Sequence, residues 1–495
     1  MKISIQELMT KSGVAFGTSG ARGLATAMTD LVCYAYARGF LQHLESTREL
    51  KRAGEGVAIA GDFRPSTGRI MEAVCRAATH MGYRAINCGR IPSPAVALFG
   101  LERRIPSMMV TGSHIPDDRN GIKFNKTTGE ILKEDEKGIS RQVIELDETM
   151  FDADGNFTRQ SLAPEVISGE AANHYVTRYL NFFDRDALKG FHIGVYQHSS
   201  VGRDVLVTIL SGLGAKVTPL GRSEKFIPVD TEAIRPEDTQ LALGWAAQQP
   251  FDAIVSADGD SDRPLVSDEK GQWLRGDIAG ILCAKYLEAD SVSAPVSCNT
   301  AVEKCGWFRQ VRRTKIGSPF VVASMLQAKA RGAKCIVGYE ANGGFLLNSD
   351  IESGGRLLRA LPTRDAVIVI LGILLLAKKQ VEKISELTAS LPARFTASDR
   401  LVNFANGKSA EILARFTSKS EAADKKAIES VFSDLSGRVA GLNRTDGLRI
   451  TFANDEVIHL RPSGNAPEFR CYTEAATNDR ARLLNSLALE RIKAL

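Results

Sequence analysis

Residues 56–60 (Gly-Val-Ala-Ile-Ala) run into Gly61-Asp62-Phe63-Arg64-Pro65, a helical pattern follows over 66–81, and 83–88 is a second apolar stretch ahead of a Gly/Pro break at 89–94. A short apolar run, a turn, an amphipathic helix and another short run form the rhythm of parallel strands joined by crossover helices. The rhythm recurs. Strand-like 191–196 precedes a helical 202–213 and a strand at 216–219, and 251–257 is a strand running straight into an acidic loop. Farther on, 294–298 and 335–337 are predicted strands with a helix over 320–331 between them. The pattern changes near residue 392. There 437–451 and 456–460 are predicted as antiparallel strands around an Asn454-Asp455 turn, 418–426 opens a surface helix, and 478–495 is a closing helix.

The chain has 495 residues, enough for about three domains at the usual 100–200 residues each. With 44% hydrophobic and 24% charged residues it is neither collagen-like, coiled coil nor disordered. Lys+Arg 63 against Asp+Glu 58 leaves a formal charge of +5, which is no argument for nucleic acid but suits a few basic groups around an anionic small molecule. The longest apolar run, 366–377, falls short of the roughly 20 residues a membrane span needs, so it is expected as a buried helix. The polar N-terminus is not expected to be a signal peptide, and the eight dispersed cysteines, with no CxxC, are expected to be reduced in a cytoplasmic protein.

Four loops carry chemistry. Thr111-Gly112-Ser113-His114 follows an apolar strand at 108–110, and Lys123 returns downstream. It is no hydrolase elbow, because G-x-S-x-G fails, and a lone Ser-His pair is more often a hydrogen-bonded turn. Asp258-Gly259-Asp260-Ser261-Asp262-Arg263 sets three carboxylates at i, i+2 and i+4, a spacing that can converge on a hard cation such as Mg²⁺ or Ca²⁺. An EF-hand needs glycine where Arg263 stands and a helix where 251–257 is a strand. Glu340-Ala341-Asn342-Gly343-Gly344 alternates polar groups that suit sugar hydroxyls, although an ordinary turn has the same composition. Arg461-Pro462-Ser463-Gly464-Asn465 offers a guanidinium fork and exposed amides for phosphate. One loop of each kind, in separate predicted units, suggests a single cleft where four domains meet.

In this order the loops resemble the α-D-phosphohexomutase superfamily. Phe16-Gly17-Thr18-Ser19-Gly20-Ala21-Arg22-Gly23 is similar to its opening F-G-T-S/D-G-I-R-G, the serine loop to T-A/G-S-H-N-P-x-x-x-N-G-x-K, and the acidic loop to D-G-D-G-D-R. The Asp446-Gly447-Leu448-Arg449 turn and an R-P-S-G-x-x-P segment complete the likeness, which covers the whole chain. The resemblance implies three related α/β domains (1–160, 161–272 and 273–390) and a C-terminal α+β domain (391–495) around a central cleft. It implies a Mg²⁺-dependent isomerase that moves phosphate between O1 and O6 of a hexose phosphate, through a phosphoserine at Ser113 and a hexose 1,6-bisphosphate that also primes the enzyme.

The resemblance further implies roles for individual residues. Asp258, Asp260 and Asp262 hold Mg²⁺ with the Ser113 phosphate, and Arg263 reinforces the neutralisation of charge. Arg22, His114 and Lys123 handle the hydroxyl proton and orient phosphate, with the base among them left open. Gly317, Glu340 and Asn342 face the sugar. Arg461, Ser463, Gly464 and Asn465 bind the distal phosphate. Mannose is the first expected hexose, glucose the second, and one enzyme serving both is an alternative. The expected partner is a small sugar phosphate, with no nucleic acid or membrane, for a monomer or weak homodimer. The rivals are a non-catalytic sugar-phosphate sensor and a metal-dependent phosphatase. Four departures stand out: Ile115 for the usual Asn, Ser261 for Gly, Asn465-Ala466 for Thr-Glu, and Glu340–Gly344 where E-x-S-G-H is common.

Overall fold

The computed structural model describes residues 2–495 apart from 18–19, 51–53, 160–165, 419 and 464–466. Its first three units repeat one sheet. In the second unit His192–His198 is flanked by parallel Lys216–Arg222 and parallel Ala253–Ala257, and Pro264–Val266 pairs antiparallel on the far side. In the third unit Ser291–Pro295 takes the central place between Gln310–Thr314 and Ile336–Tyr339, with antiparallel Phe345–Leu347 beyond. The first unit sets Gly56–Gly61 between Arg84–Arg90 and Ser107–Val110, with antiparallel Arg119–Lys126 next. That sheet then grows by Ala21–Leu24 and Ala15–Phe16, both antiparallel additions. The central strands are buried, and in the first unit Gly56–Gly61 accordingly reads as an unbroken apolar run.

The last unit is a five-stranded antiparallel sheet in the order Phe395–Val402, Glu468–Ala475, Val457–Pro462, Leu448–Phe452, Val439–Asn443, and the closing helix Asn478–Ala494 packs on it. The helix expected over 418–426 is found as Glu421–Ser436. Here one expectation is corrected. The stretch 437–451 is two strands, because Gly447 turns the chain at φ 77°, in the left-handed region that favours glycine. Among the strand limits that shift, two shift the most. The third unit's central strand is Ser291–Pro295, not 294–298, since the inward Ser291 and Ser293 belong to it despite their polarity. The strand begun at 216 continues through Pro219 to Arg222, which an edge strand tolerates because one side of its backbone is unpaired.

The apolar run is the buried helix Ala366–Gln380, capped by Asp365, whose side chain accepts the N–H of Val367. It lies in the largest core, shared by the second and third units and the helix Ser93–Arg103 of the first. That shared core joins the three units. Among the described residues no helix is long and apolar enough to cross a membrane.

Candidate functional site

Each of the three repeated sheets changes direction between its third parallel strand and the antiparallel neighbour, and a chemistry-bearing loop sits at that reversal. In the first unit it is the serine loop. Ser113 is fully buried with φ 57°, a strained value for a residue with a side chain. Its N–H donates to Thr111 Oγ1 at 2.8 Å, and its hydroxyl donates to Asp258 Oδ2 at 2.6 Å. Beneath the loop lies Arg64, 1% exposed. It donates from Nη2 to the carbonyls of Ser113 (2.7 Å) and Ile115 (2.6 Å), and from Nη1 to that of Pro116 (2.9 Å). Asp62 accepts from Arg64 Nε at 3.1 Å and from Thr111 Oγ1 at 2.8 Å, and Phe226 of the second unit stacks on the guanidinium at 4.1 Å. A loop gripped by its carbonyls leaves position 115 free to vary, which accommodates Ile115.

The acidic loop of the second unit meets this serine. Asp258, Asp260 and Asp262 are buried, with one carboxylate oxygen from each within 4.8 Å of the others. Lys123 Nζ, on the strand beside the serine loop, donates to Asp260 Oδ2 (2.6 Å) and Asp262 Oδ2 (2.5 Å). Ser93 adds its hydroxyl to Asp260 Oδ2 at 3.0 Å. Asp260 Oδ1 and Asp262 Oδ1 are buried and have no hydrogen-bond partner. Two orphaned carboxylate oxygens beside a third carboxylate are a hard-oxygen donor set that fits Mg²⁺. Burial, together with Asp260 and Asp262, pushes the Asp258 carboxyl well up. Burial acts the same way on Asp260, but Lys123 and Arg364 overcome it and hold Asp260 low. Ser261, the residue in place of glycine, has φ 60°. Its hydroxyl shares a hydrogen bond with Ser200 Oγ at 2.7 Å and accepts the Gly202 N–H at 2.8 Å, anchoring the turn that glycine would leave loose.

His114 Nδ1 lies 2.7 Å from Arg263 Nη1. A guanidinium only donates, so Nδ1 is the acceptor and the proton sits on Nε2, which faces Asp230 at 3.9 Å. Burial, then Arg263 and Arg22, hold His114 far below its ordinary pKa, so the ring is neutral. Arg22, brought opposite Gly121 by the added strands, is lowered to about 10, first by burial and then by Arg263.

A cavity of about 480 Å³ lies on the far side between the second and third units, away from these groups. The larger one, about 680 Å³, is lined by Arg22 and His114 from the first unit, Asp230 from the second, Gly317 from the third, and Arg461 and Ser463 from the fourth. Arg235, Arg400, Arg470 and Lys133 add positive charge to its wall. Arg461 Nε stands 3.0 Å from Asp446 Oδ2, the oxygen that also accepts the Ile316 N–H at 2.9 Å and so ties the fourth unit to the third. Gly317 has φ 125° and leads into the helix Ser318–Ala330. Glu340 is buried and faces Arg364 at 3.5 Å. Asn342 turns inward on its own loop, its Oδ1 accepting the Gly344 N–H at 2.9 Å while its carbonyl accepts from Thr231 Oγ1 at 2.6 Å. Gly464 and Asn465, like Thr18 and Ser19, lie outside the described residues.

The structure thus gathers Ser113, His114, Lys123 and the three aspartates into one cluster, and brings Arg22, Gly317, Arg461 and Ser463 to one cleft. Sequence reasoning missed Asp62, Arg64 and Arg364. The pair Asp62 and Arg64 stood in a segment legible only as a chain break, and Arg364 preceded a helix legible only as core.

Profiles of the phosphoglucomutase/phosphomannomutase family match in succession, alpha/beta/alpha domain I over residues 13–150, domain II over 173–271 and domain III over 275–395. The chain is 42% identical over 99% of its length to the phosphomannomutase of Salmonella muenchen, covering 97% of that protein. It is 44% identical over 95% of its length to the phosphomannomutase of Sinorhizobium fredii, again covering 97%. A crystal structure of a phosphoglucomutase/phosphomannomutase family protein from Burkholderia thailandensis shares the fold, with a TM-score of 0.73 at 19% identity over 99% of this chain and 98% of that one. With the repeated sheets, the serine and acidic loops facing each other and these matches together, the chain belongs to the phosphoglucomutase/phosphomannomutase family.

Proposed function

We propose that this protein is a phosphomannomutase, interconverting mannose 1-phosphate and mannose 6-phosphate by way of a phosphorylated Ser113 and a hexose 1,6-bisphosphate that also serves as primer. The observation that carries the reading is the contact of Ser113 Oγ with Asp258 Oδ2 at 2.6 Å beside two buried carboxylate oxygens that accept no hydrogen bond. The two relatives named above, at 42% and 44% identity, are each called phosphomannomutase, which supports mannose as the hexose.

Asp258, Asp260 and Asp262 would hold Mg²⁺ with the phosphate on Ser113, and the ion supplies charge neutralisation for the transferring phosphoryl group. The chain's own groups do the rest. In the unphosphorylated protein Asp258 Oδ2 holds the Ser113 proton. Neutral His114 is turned to Arg263 and keeps that guanidinium over the site. Lys123 fixes two of the three carboxylates, and Arg64 fixes the serine. Arg22 of the first unit and Arg461 of the fourth both line the cleft and suit the two ends of a bisphosphate, and remote phosphate binding there orients the sugar. Ser463, Gly464 and Asn465 complete the distal site in this reading, and Gly317, Glu340 and Asn342 serve the sugar side. We read the protein as cytoplasmic, in keeping with its eight free thiols, and as a monomer or weak homodimer.

The test measures kcat/KM for mannose 1-phosphate and glucose 1-phosphate in parallel, with Mg²⁺ and a bisphosphate primer. A preference for mannose is expected, and equal values indicate a dual-specificity enzyme. The intact mass of purified protein should show partial phosphorylation that disappears in Ser113→Ala, with turnover falling roughly 10⁴-fold. A Ser113→Ala variant that kept most of its turnover would falsify the mechanism.

A further inference from the structure

Arg364 stands immediately before the long buried helix and is 2% exposed. Its Nε lies 3.0 Å from Asp262 Oδ2, and its Nη1 lies 3.5 Å from Glu340 Oε2. One side chain therefore bridges the acidic loop of the second unit and the sugar-side loop of the third. Its backbone is held from the next residue. Asp365 accepts the hydroxyl of Tyr175 at 2.6 Å and that of Tyr179 on its other oxygen, and both tyrosines are fully buried. The tyrosines sit on the helix Glu170–Phe182, so three segments converge on positions 364–365.

Gly344 completes the arrangement. A Cβ there would stand 2.6 Å from Arg364 Cδ and 2.9 Å from Cγ. The backbone at Gly344 is not in the left-handed region. Glycine is required for space, then, and the space is filled chiefly by the stem of Arg364, with Asn342 Oδ1 next at 3.0 Å.

We infer that Arg364 is a positioning residue that sets Glu340 in register with Asp262, and that position 344 is glycine to admit it. The physical basis is the planar fork. A guanidinium can face two carboxylates in fixed directions at once, whereas an ammonium is a point charge on a flexible stem. Glu340 is buried, and its Oε2 has no hydrogen-bond partner. Arg364 is the stronger of two cations acting on it, Arg263 being the second, and a buried carboxylate that loses the stronger one is prone to swing away. Both of the contacts of Arg364 given above are to carboxylates of the two loops, so the role assigned to it runs through Glu340 and Asp262 and not on substrate directly.

The kinetic part of this inference rests on the mutase reading above; the spatial part does not. In full-length Arg364→Met, KM for mannose 1-phosphate should rise about tenfold or more with a smaller change in kcat. Arg364→Lys should recover at least a third of that loss. Calorimetric Mg²⁺ binding to Arg364→Met should be no weaker than to the parent protein, because the cation removed lies beside a ligand of the ion. An unchanged KM, no recovery by lysine, or weakened Mg²⁺ binding overturns the positioning role. Separately, Gly344→Ala should lower the melting temperature by roughly 2–4 °C. Arg364→Ala should cancel most of that loss, and additive losses would overturn the spatial claim. The thermal and calorimetric arms need no sugar, so a parent protein inactive on hexose phosphates would defeat the mutase reading alone.

Discussion

The second and third units place their third strands, Ala253–Ala257 and Ile336–Tyr339, in the same slot of the same sheet, yet the loops that follow differ in what holds their side chains. The acidic loop closes on itself, Asp258 N–H donating to the Arg263 carbonyl and Ser261 N–H to that of Asp258, but its side chains are also held from outside. Its carboxylates take hydrogen bonds from Ser113, Lys123 and Ser93, all from the first unit, and its turn is anchored on Ser200 and Gly202. The sugar-side loop is closed largely on itself. Glu340 N–H donates to the Gly344 carbonyl at 3.0 Å, Gly343 N–H to the Glu340 carbonyl at 2.9 Å, and Gly344 N–H to Asn342 Oδ1. The lesson is that topology supplies the slot, while the partners of each loop decide whether it carries out chemistry or recognition.

Three substitutions test that contrast. Asp260→Asn should lower kcat by roughly 10²–10³ and weaken Mg²⁺ binding measured by calorimetry, because it removes one of the three carboxylate charges facing the ion and keeps the fold. If kcat held while KM rose, the acidic loop would be acting in recognition and the contrast would fail. Glu340→Gln should give the reverse pattern, a KM for hexose phosphate raised about tenfold with kcat within about threefold. Ser261→Gly should be the mildest, moving stability by no more than about 1 kcal/mol in denaturant titration. Relief of a left-handed side chain offsets the loss of two hydrogen bonds of about that size each. A larger loss would mean that the Ser261 hydroxyl holds more of the loop than its two contacts indicate.

Much of this was legible in the sequence. The strand–turn–helix rhythm around 56–94 predicted the parallel sheets, and the i, i+2, i+4 spacing of Asp258, Asp260 and Asp262 predicted convergence, because both are local patterns. What stayed hidden depends on distance in the chain. Arg64 reaches carbonyls some fifty residues away, and Arg364 reaches Asp262 across about a hundred. An isolated arginine beside a proline or a helix gives no local sign of such partners. At Gly447 two readings of the sequence conflicted: the strand expected over 437–451 ran through it, although the Asp446-Gly447-Leu448-Arg449 segment already marked a turn after the polar run 443–446. Asn342 fitted a recognition loop by composition, and only the fold reveals that its amide oxygen is engaged within that loop.

Lys123 makes the metal-binding cluster tolerant of starvation. Its ammonium spans Asp260 and Asp262, and Arg263 and Arg364 stand beside them, so the three carboxylates already have three cations for company. An ion can depart without leaving a knot of uncompensated negative charge to push the first and second units apart. A chelator should therefore silence the enzyme within a single mixing step, leave its melting temperature within about 2 °C, and be fully reversed by added Mg²⁺. The protein would behave as an idling catalyst through swings in cellular magnesium, ready to resume without a refolding step.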